Sequence, residues 1–388
     1  MFSSRFHWDF RPNQIARALD GKRRAGVPLL DLTQSNPTHA GFFYPQDLLS
    51  ALENPRALRY DPSPAGALSA REAVSAYYAA RGSDVAPDRI LLTASTSEAY
   101  AYLFKLLCNP GDSVLVPRPS YPLFEFLADM ESVHTVQYPL VYQGQWSIDL
   151  DAMESAISDR TRAIVLVNPN NPTGSYLKRD ELAALAKLCA AHDLALISDE
   201  VFADFSLRRD SARIPTLVTA EDCLTMSMSG LSKIAGLPQM KLGWIVVAGP
   251  PARRNEALEK LEWIADTYLS VSTPVQYAAP HLLACGEALQ RQMRERCADN
   301  LAYLRQALAG SAASLLDLEG GWYATIQVPR VRSEEEWVLG LIEHENVLVQ
   351  PGFFYDFATE AFLVVSLLTL GTAFRDGIGR IARLTASG

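Results

Sequence analysis

A lysine, an aspartate, an asparagine, a tyrosine and a group of hydroxyls each follow a short apolar run in this sequence. Lys233 ends SGLSK (229–233), after LTMSM (224–228). A loop lysine is ordinarily solvated, but a desolvated one forms Schiff bases with aldehydes. Asp199 and Glu200 follow LALIS (194–198). A carboxylate buried alone costs roughly several kcal/mol, so it needs a salt bridge, a cap or a protonated heteroaromatic nitrogen. Asn171 lies in NPNNPTG (168–174), where two Asn-Pro steps and a glycine force a tight turn. Its amide could donate to a ligand oxygen. Tyr121 lies between prolines in PRPSYP (117–122), placed to stack on a flat ring or on its neighbours. In TASTSEA (93–99), Ser95 and Glu98 have the spacing of a capping box, so a helix starts there. Its free N–H groups and the hydroxyls of Ser95, Thr96 and Ser97 would make an anion cup.

Each cluster has an ordinary structural explanation when taken alone. Together they supply a phosphate cup, a stacking aromatic, an oxygen donor, a ring-nitrogen carboxylate and a Schiff-base lysine. Those match the parts of pyridoxal 5′-phosphate (PLP) one for one.

The elements that must position them alternate. ILLTA (90–94) precedes a helical run from Ser97 to Leu107, SVLVP (113–117) one from Leu123 to Met130, and AIVLV (163–167) one from Glu181 to Ala191. LALIS, LTMSM and WIVVA (244–248) are further strand candidates. Nearly continuous apolar strands alternating with helices predict an α/β fold with a mainly parallel sheet between helices. Ligands in such sheets sit beyond the carboxyl ends of the strands. Before this region the chain reads as an irregular, proline-containing arm up to about Pro45. After about residue 275 come a long helix (roughly 276–309), GGWYATIQV, a helix opened by Ser333 and Glu336, strands near VLVQP and FLVVSLL, and a last helix. That last helix places Phe374, Ile378, Ile381 and Leu384 on one face. We expect a large domain over 41–280, and a smaller α/β domain made of 1–40 with 281–388.

Lys plus Arg total 35 against 44 Asp plus Glu, a net charge of −9. That disfavours nucleic acid and anionic membranes as partners, and with them a role as a DNA-binding regulator. The N-terminus lacks an apolar leader core, no apolar run reaches membrane-span length, and the five cysteines lack metal-type spacing. A reduced, cytoplasmic protein is expected. The six histidines are scattered, and no metal site is predicted.

The sequence resembles the class I/II aminotransferases, the fold-type I PLP-dependent enzymes. The likeness runs from about Leu30 to the C-terminus. It is carried by TQSNPT (33–38), RYDPSPAG (59–66), TASTSEA, PRPSYP, NPNNPTG, SDEVFADF (198–205), SGLSKIAGLPQMKLGW (229–244) and GGWY (320–323). The resemblance implies that Lys233 binds the cofactor aldehyde and shuttles the proton, while Asp199 pairs with the ring nitrogen. It further implies that Asn171 donates to the phenolic oxygen and Tyr121 stacks on the ring. Ser95, Thr96 and Ser232 or Ser229 would hold the phosphate, and Tyr60 would reach the phosphate of a neighbouring subunit in a homodimer with shared sites.

Three positions depart from the family pattern. Lys241 stands where an arginine usually meets the phosphate, and keeps the charge without the bidentate fork. Phe202 stands where a tyrosine usually donates to the phenolic oxygen. Val364 stands where an arginine usually clamps the substrate carboxylate, a strong recognition contact. Either the substrate lacks that carboxylate, or another base such as Arg5 or Arg118 supplies the clamp. Phe42, Phe43 and Tyr44, with Trp322 and Phe353, could line an apolar pocket, although such aromatics more often pack in a core. The expected activity is transfer of an amino group from an amino acid or amine to an oxo acceptor. The alternative on the same scaffold is a PLP-dependent lyase or decarboxylase, which fold alone does not separate.

Overall fold

The computed structural model describes residues 1–9 and 11–386. The N-terminal arm departs from its expected irregularity, because it contains helix α1 (Gln14–Arg24). The Asn13 side chain accepts the Ala16 N–H at 2.8 Å, capping the helix. Lys22, Arg23 and Arg24 lie in its last turn, where the helix dipole favours cations. Ile15, Ala18 and Leu19 face the core; this short apolar edge is hard to see among so many charges and flanking prolines. Strand β1 (Leu30–Asp31) follows and pairs in parallel with Val347–Leu348. Helix α2 (Leu68–Ala79) comes next.

Eight strands make the main sheet: β2 (Ile90–Thr93), β3 (Ser113–Arg118), β4 (His134–Tyr142), β5 (Trp146–Ile148), β6 (Thr161–Val167), β7 (Ala195–Asp199), β8 (Thr225–Gly230) and β9 (Gly243–Ala248). Their order is β2-β9-β8-β7-β6-β3-β4-β5. The run from β8 through β7, β6 and β3 to β4 is parallel, while β9 is antiparallel to β2 and β8, and β5 to β4. All residues of β2, β8 and β9 are buried, as expected of strands covered on both faces. The sequence reading omitted β4 and β5. In β4 only Tyr138 is buried, His134 and Gln137 are exposed, and Pro139 interrupts the apolar pattern, as suits strands near a sheet margin.

The covering helices include α3 (Thr96–Leu107), α4 (Phe124–Met130), α5 (Leu150–Ser155), α6 (Arg179–His192), α7 (Leu231–Ile234) and α8 (Pro251–Asp266). The 36-residue α9 (Thr273–Leu308) follows. A second sheet then forms from β10 (Ser314–Leu315), β11 (Tyr323–Gln327), β13 (Gln350–Pro351) and β14 (Phe362–Ser366), in the order β10-β11-β14-β13, all antiparallel. Val347–Leu348, the partner of β1, is β12. Helix α10 (Glu334–Gly340) has the predicted capping box of Ser333 and Glu336. Helix α11 (Gly371–Ala386) buries Phe374, Ile378 and Ile381. No described helix is long and apolar enough to cross a membrane.

Two segments far apart in sequence are fastened beside the strand ends. The Gly174 carbonyl accepts the N–H groups of Glu319 and Gly320 at 3.1 and 3.0 Å. Gly174 has a φ of +71°, and a Cβ there would lie 2.6 Å from the Gly320 carbonyl oxygen, so this position requires glycine. The turn carrying Asn171 is thereby held against the segment carrying Trp322.

Candidate active site

A cavity of about 440 Å³ opens at the carboxyl ends of β7 and β8. It is lined by Lys233, Asp199, Asn171, Tyr121, Phe202, Ser95, Thr96, Ser97 and Ser232 among others. Sequence reasoning named all of these, and the fold brings them together. Tyr60 and Lys241 are not among the lining residues: Tyr60 is 81% exposed, and Lys241 is exposed just before β9.

Asp199 is the last residue of β7, and Lys233 lies in α7 immediately beyond the adjacent β8. The Asp199 carboxylate accepts the Tyr100 hydroxyl and the Val201 N–H, both at 3.2 Å. Burial raises its pKa to about 6, opposed by those two donors and by the Lys233 charge. Burial likewise lowers the Lys233 pKa to about 8, opposed by the Asp199 charge. The Lys233 Nζ lies 5.1 Å from the Trp322 ring centroid and 5.8 Å from that of Phe202. An amine in this setting is neutral far more readily than a solvated lysine, which is what attack on an aldehyde requires.

The anion cup sits at the start of α3. The Ser95 hydroxyl accepts the Glu98 N–H at 3.2 Å. The reciprocal half differs from the predicted box: the Glu98 carboxylate accepts the Ala94 N–H at 2.6 Å, one residue earlier than Ser95, and also the Ser270 hydroxyl. The helix amino end still carries three hydroxyl residues facing the cavity. Asn171 Oδ1 is buried with no hydrogen-bond partner, so this side chain retains unused polar capacity at the cavity wall. Ser229 is buried behind the site, with its hydroxyl also unpartnered, and does not line the cavity. The hydroxyl cup, the orphaned amide, the depressed lysine and the buried carboxylate fit PLP.

Glu200, next to Asp199, serves the fold. It is fully enclosed and accepts the Ser198 hydroxyl, the Leu217 N–H and the Thr216 hydroxyl at 3.0, 2.8 and 2.5 Å. Burial raises its pKa to about 7 from an ordinary 4.5, outweighing those donors. The folded state therefore holds this proton more tightly than the unfolded chain does. Its contribution to stability is complete below pH 4.5 and is lost as pH rises through about 7. We expect Glu200→Gln to remove this dependence. The melting temperature of the wild type, relative to the variant, should fall between about pH 5 and pH 8; parallel curves would contradict the assignment.

The far wall of the cavity comes from residues the sequence reading did not assign to the site. Ser35, Tyr323, Gln350, Phe354 and Tyr355 line it, with Phe124 beside Tyr121. Ser35 and Tyr323 lie within TQSNPT and GGWY, so motif membership could have flagged them. Gln350, Phe354 and Tyr355 had no such signal. The expected aromatic lining is corrected accordingly. Phe42 packs on the core, Phe43 is exposed, Tyr44 donates to the Gly236 carbonyl at 2.6 Å, and Phe353 is exposed while Phe354 lines the site. Trp322 is buried beside Lys233 without lining the cavity.

Neither candidate for a replacement clamp lies in the cavity. Arg5 donates to the hydroxyls of Ser3 and Ser132, and Arg118 Nε donates to the Asp356 carbonyl at 2.7 Å. Val364 is buried in β14, between Thr325 of β11 and Gln350 of β13 in the sheet register. Phe202 is buried, edge-on to Trp322 at 5.2 Å between centroids, and has no hydroxyl to offer a phenolate. If Lys233 carries the cofactor, as the resemblance implies, Phe202→Tyr should lower the pKa of that chromophore, because a new donor stabilises the ionised form. An unchanged or raised value in a spectrophotometric titration would refute this. The structure also brings His7 near Glu125 and Asp129, residues remote from it in sequence; His7 and Glu125 are exposed and Asp129 is half-buried. All five cysteines are free, three of them buried.

The sequence model of the family "Aminotransferase class I and II" matches residues 28–371. The chain belongs to this family of PLP-dependent enzymes and has its fold-type I architecture. Among curated relatives, glutamate-pyruvate aminotransferase AlaA of Escherichia coli (strain K12) is 34% identical over 256 residues, covering 65% of this chain and 63% of that protein. The match thus spans less than two thirds of that relative's length. The protein of the same name from Haemophilus influenzae is 27% identical over 92% of this chain and 91% of its own. An aspartate aminotransferase mutant of Thermus thermophilus superposes with a TM-score of 0.84 at 26% identity, covering 99% of both chains.

Proposed function

We propose that this chain is a PLP-dependent aminotransferase that moves an amino group from an amino acid or amine to an oxo acceptor. The observation that carries the reading is the pairing of Lys233 and Asp199 beyond adjacent strands, facing one cavity with a hydroxyl-lined helix start. The curated relatives named above, whose printed names are those of aminotransferases, support it.

When bound, PLP supplies an aldehyde carbon and a protonated ring that withdraws electrons from the substrate's amino carbon. In this reading Ser95, Thr96 and Ser232, with the α3 N–H groups, bind the phosphate. Tyr121 would lie against the ring, Asn171 would donate to its phenolic oxygen, and the Asp199 carboxylate would keep the ring nitrogen protonated. Lys233 Nζ would hold the aldehyde carbon, and its neutral amine would be the group placed to take a proton from the substrate's amino carbon and to return one. Phe202 and Trp322 keep water from Lys233, which holds its pKa in the range useful for proton transfer.

The remaining assignments belong to the same proposal. The chain divides into a large domain over 41–280 and a small one made of 1–40 with 281–388. It acts as a homodimer in the cytoplasm, with the exposed Tyr60 extending toward the neighbouring subunit's phosphate and Lys241 lending charge nearby. The test is a half-reaction screen of the holoenzyme against amino acids and carboxylate-free amines. Conversion of the Lys233-bound chromophore to the pyridoxamine form, with release of an oxo product, supports the reading. Turnover without that conversion rejects it.

A further inference from the structure

The cavity is unusually poor in cations. Of all its lining residues only Lys233 and Asp199 carry charge, and the transfer reading commits both to the cofactor. In the transfer reading, substituents of the reacting carbon would rest against the far wall, made by Tyr323, Gln350, Phe354 and Tyr355. Every one of these is neutral. The Tyr355 hydroxyl already donates to the Gln350 side-chain oxygen. The Tyr323 hydroxyl is held un-ionised by burial, its pKa pushed up to about 12. Behind this wall the register sets Val364 between Gln350 and Thr325, so the second rank is neutral as well. Arg118 and Arg5 are turned to other partners.

A carboxylate on the reacting carbon would meet no free cation among the lining residues of its own protomer. Burying an ionised group without a charged partner costs several kcal/mol by general estimates, and the negative faces of the aromatic rings add to the cost. We infer that the site takes primary amines whose reacting carbon bears neutral, apolar or aromatic substituents, in preference to α-amino acids with a free carboxylate. The inference rests on the transfer reading above. The same wall meets donor and acceptor, so the acceptor is an aldehyde or ketone without an adjoining carboxylate. The exchange balances: the donor's C–N and C–H bonds give way to C=O, and the acceptor's C=O to C–N and C–H. Water enters in one half and leaves in the other.

The test is single-turnover reaction of the holoenzyme with matched donors, followed by loss of the Lys233-bound absorbance. Phenylalanine is compared with phenylalaninol and 2-phenylethylamine, and leucine with leucinol and 3-methylbutylamine. The expected result is a second-order rate constant at least about tenfold higher for the neutral members, which is ~1.4 kcal/mol of preference. A ratio below ten, or no reaction of the neutral members, overturns the inference. Rapid transfer from the amino acids would overturn it while leaving the transfer reading intact. Release of ammonia or carbon dioxide without the pyridoxamine form would reject the transfer reading, with the ratio still deciding the substrate class.

Discussion

Lys233→Ala should reduce amino transfer by about 10⁴-fold or more, because in the proposed reading one side chain both captures the cofactor and moves the proton. The position is prepared for both tasks. Burial lowers its pKa to about 8, and two aromatic rings lie within 5.8 Å of its Nζ. No other lysine or arginine lines the cavity, so none can take over. The variant should keep its fold. Lys233 is in a four-residue helical turn, and its ammonium makes no ion pair among the described residues. Steady-state transfer, the visible spectrum after incubation with PLP, and a melting curve check it together. Transfer above about 1% of wild type in a folded variant would show that another group moves the proton.

Asp199→Asn should reduce the turnover number by about 10²–10³-fold, the size seen when one buried electrostatic partner of a developing charge is removed. The substitution keeps the shape and loses the charge. The wild-type carboxylate is ionised at neutral pH despite burial, since its pKa is about 6. Tyr100 helps to hold it there through the hydroxyl at 3.2 Å. Tyr100→Phe should therefore produce the same defect in weaker form, of roughly one hydrogen bond. Turnover numbers for the three proteins, measured at saturating PLP, separate this electrostatic role from mere cofactor affinity. Equal turnover for Asp199→Asn and wild type would remove Asp199 from the mechanism.

How much of this was legible in the sequence depends on where each residue's neighbours come from. The strands before the five polar clusters announce themselves because both faces are buried, as in β2 and β8. Residues just beyond such strands must converge on one edge of the sheet, so Lys233, Asp199, Asn171 and the Ser95 helix could be placed together without coordinates. Helix α1 and strand β4 escaped for the opposite reason, since each buries only a narrow face and is broken up by charge or proline. The far wall escaped for a third. A strand near VLVQP was expected and β13 lies there, but Gln350 acquires its position at the site by pairing with Val364. A pairing partner cannot be read from spacing. The aromatics at 42–44 show the same limit: composition does not tell which of several faces a cavity, and Phe42 and Tyr44 pack on the core, the commoner place for such residues.

The origin of the two sides of the cavity has a consequence for how such a protein can change over generations. The floor, with Lys233 and Asp199, is built by the eight-stranded sheet; the far wall, with Tyr323 and Gln350, belongs to the four-stranded one. In the proposed reading, mutations in the second sheet would retune which amine is accepted while Lys233 and Asp199 are inherited unaltered. Chemistry and choice of substrate would then be carried by separate stretches of the gene, free to drift at different rates.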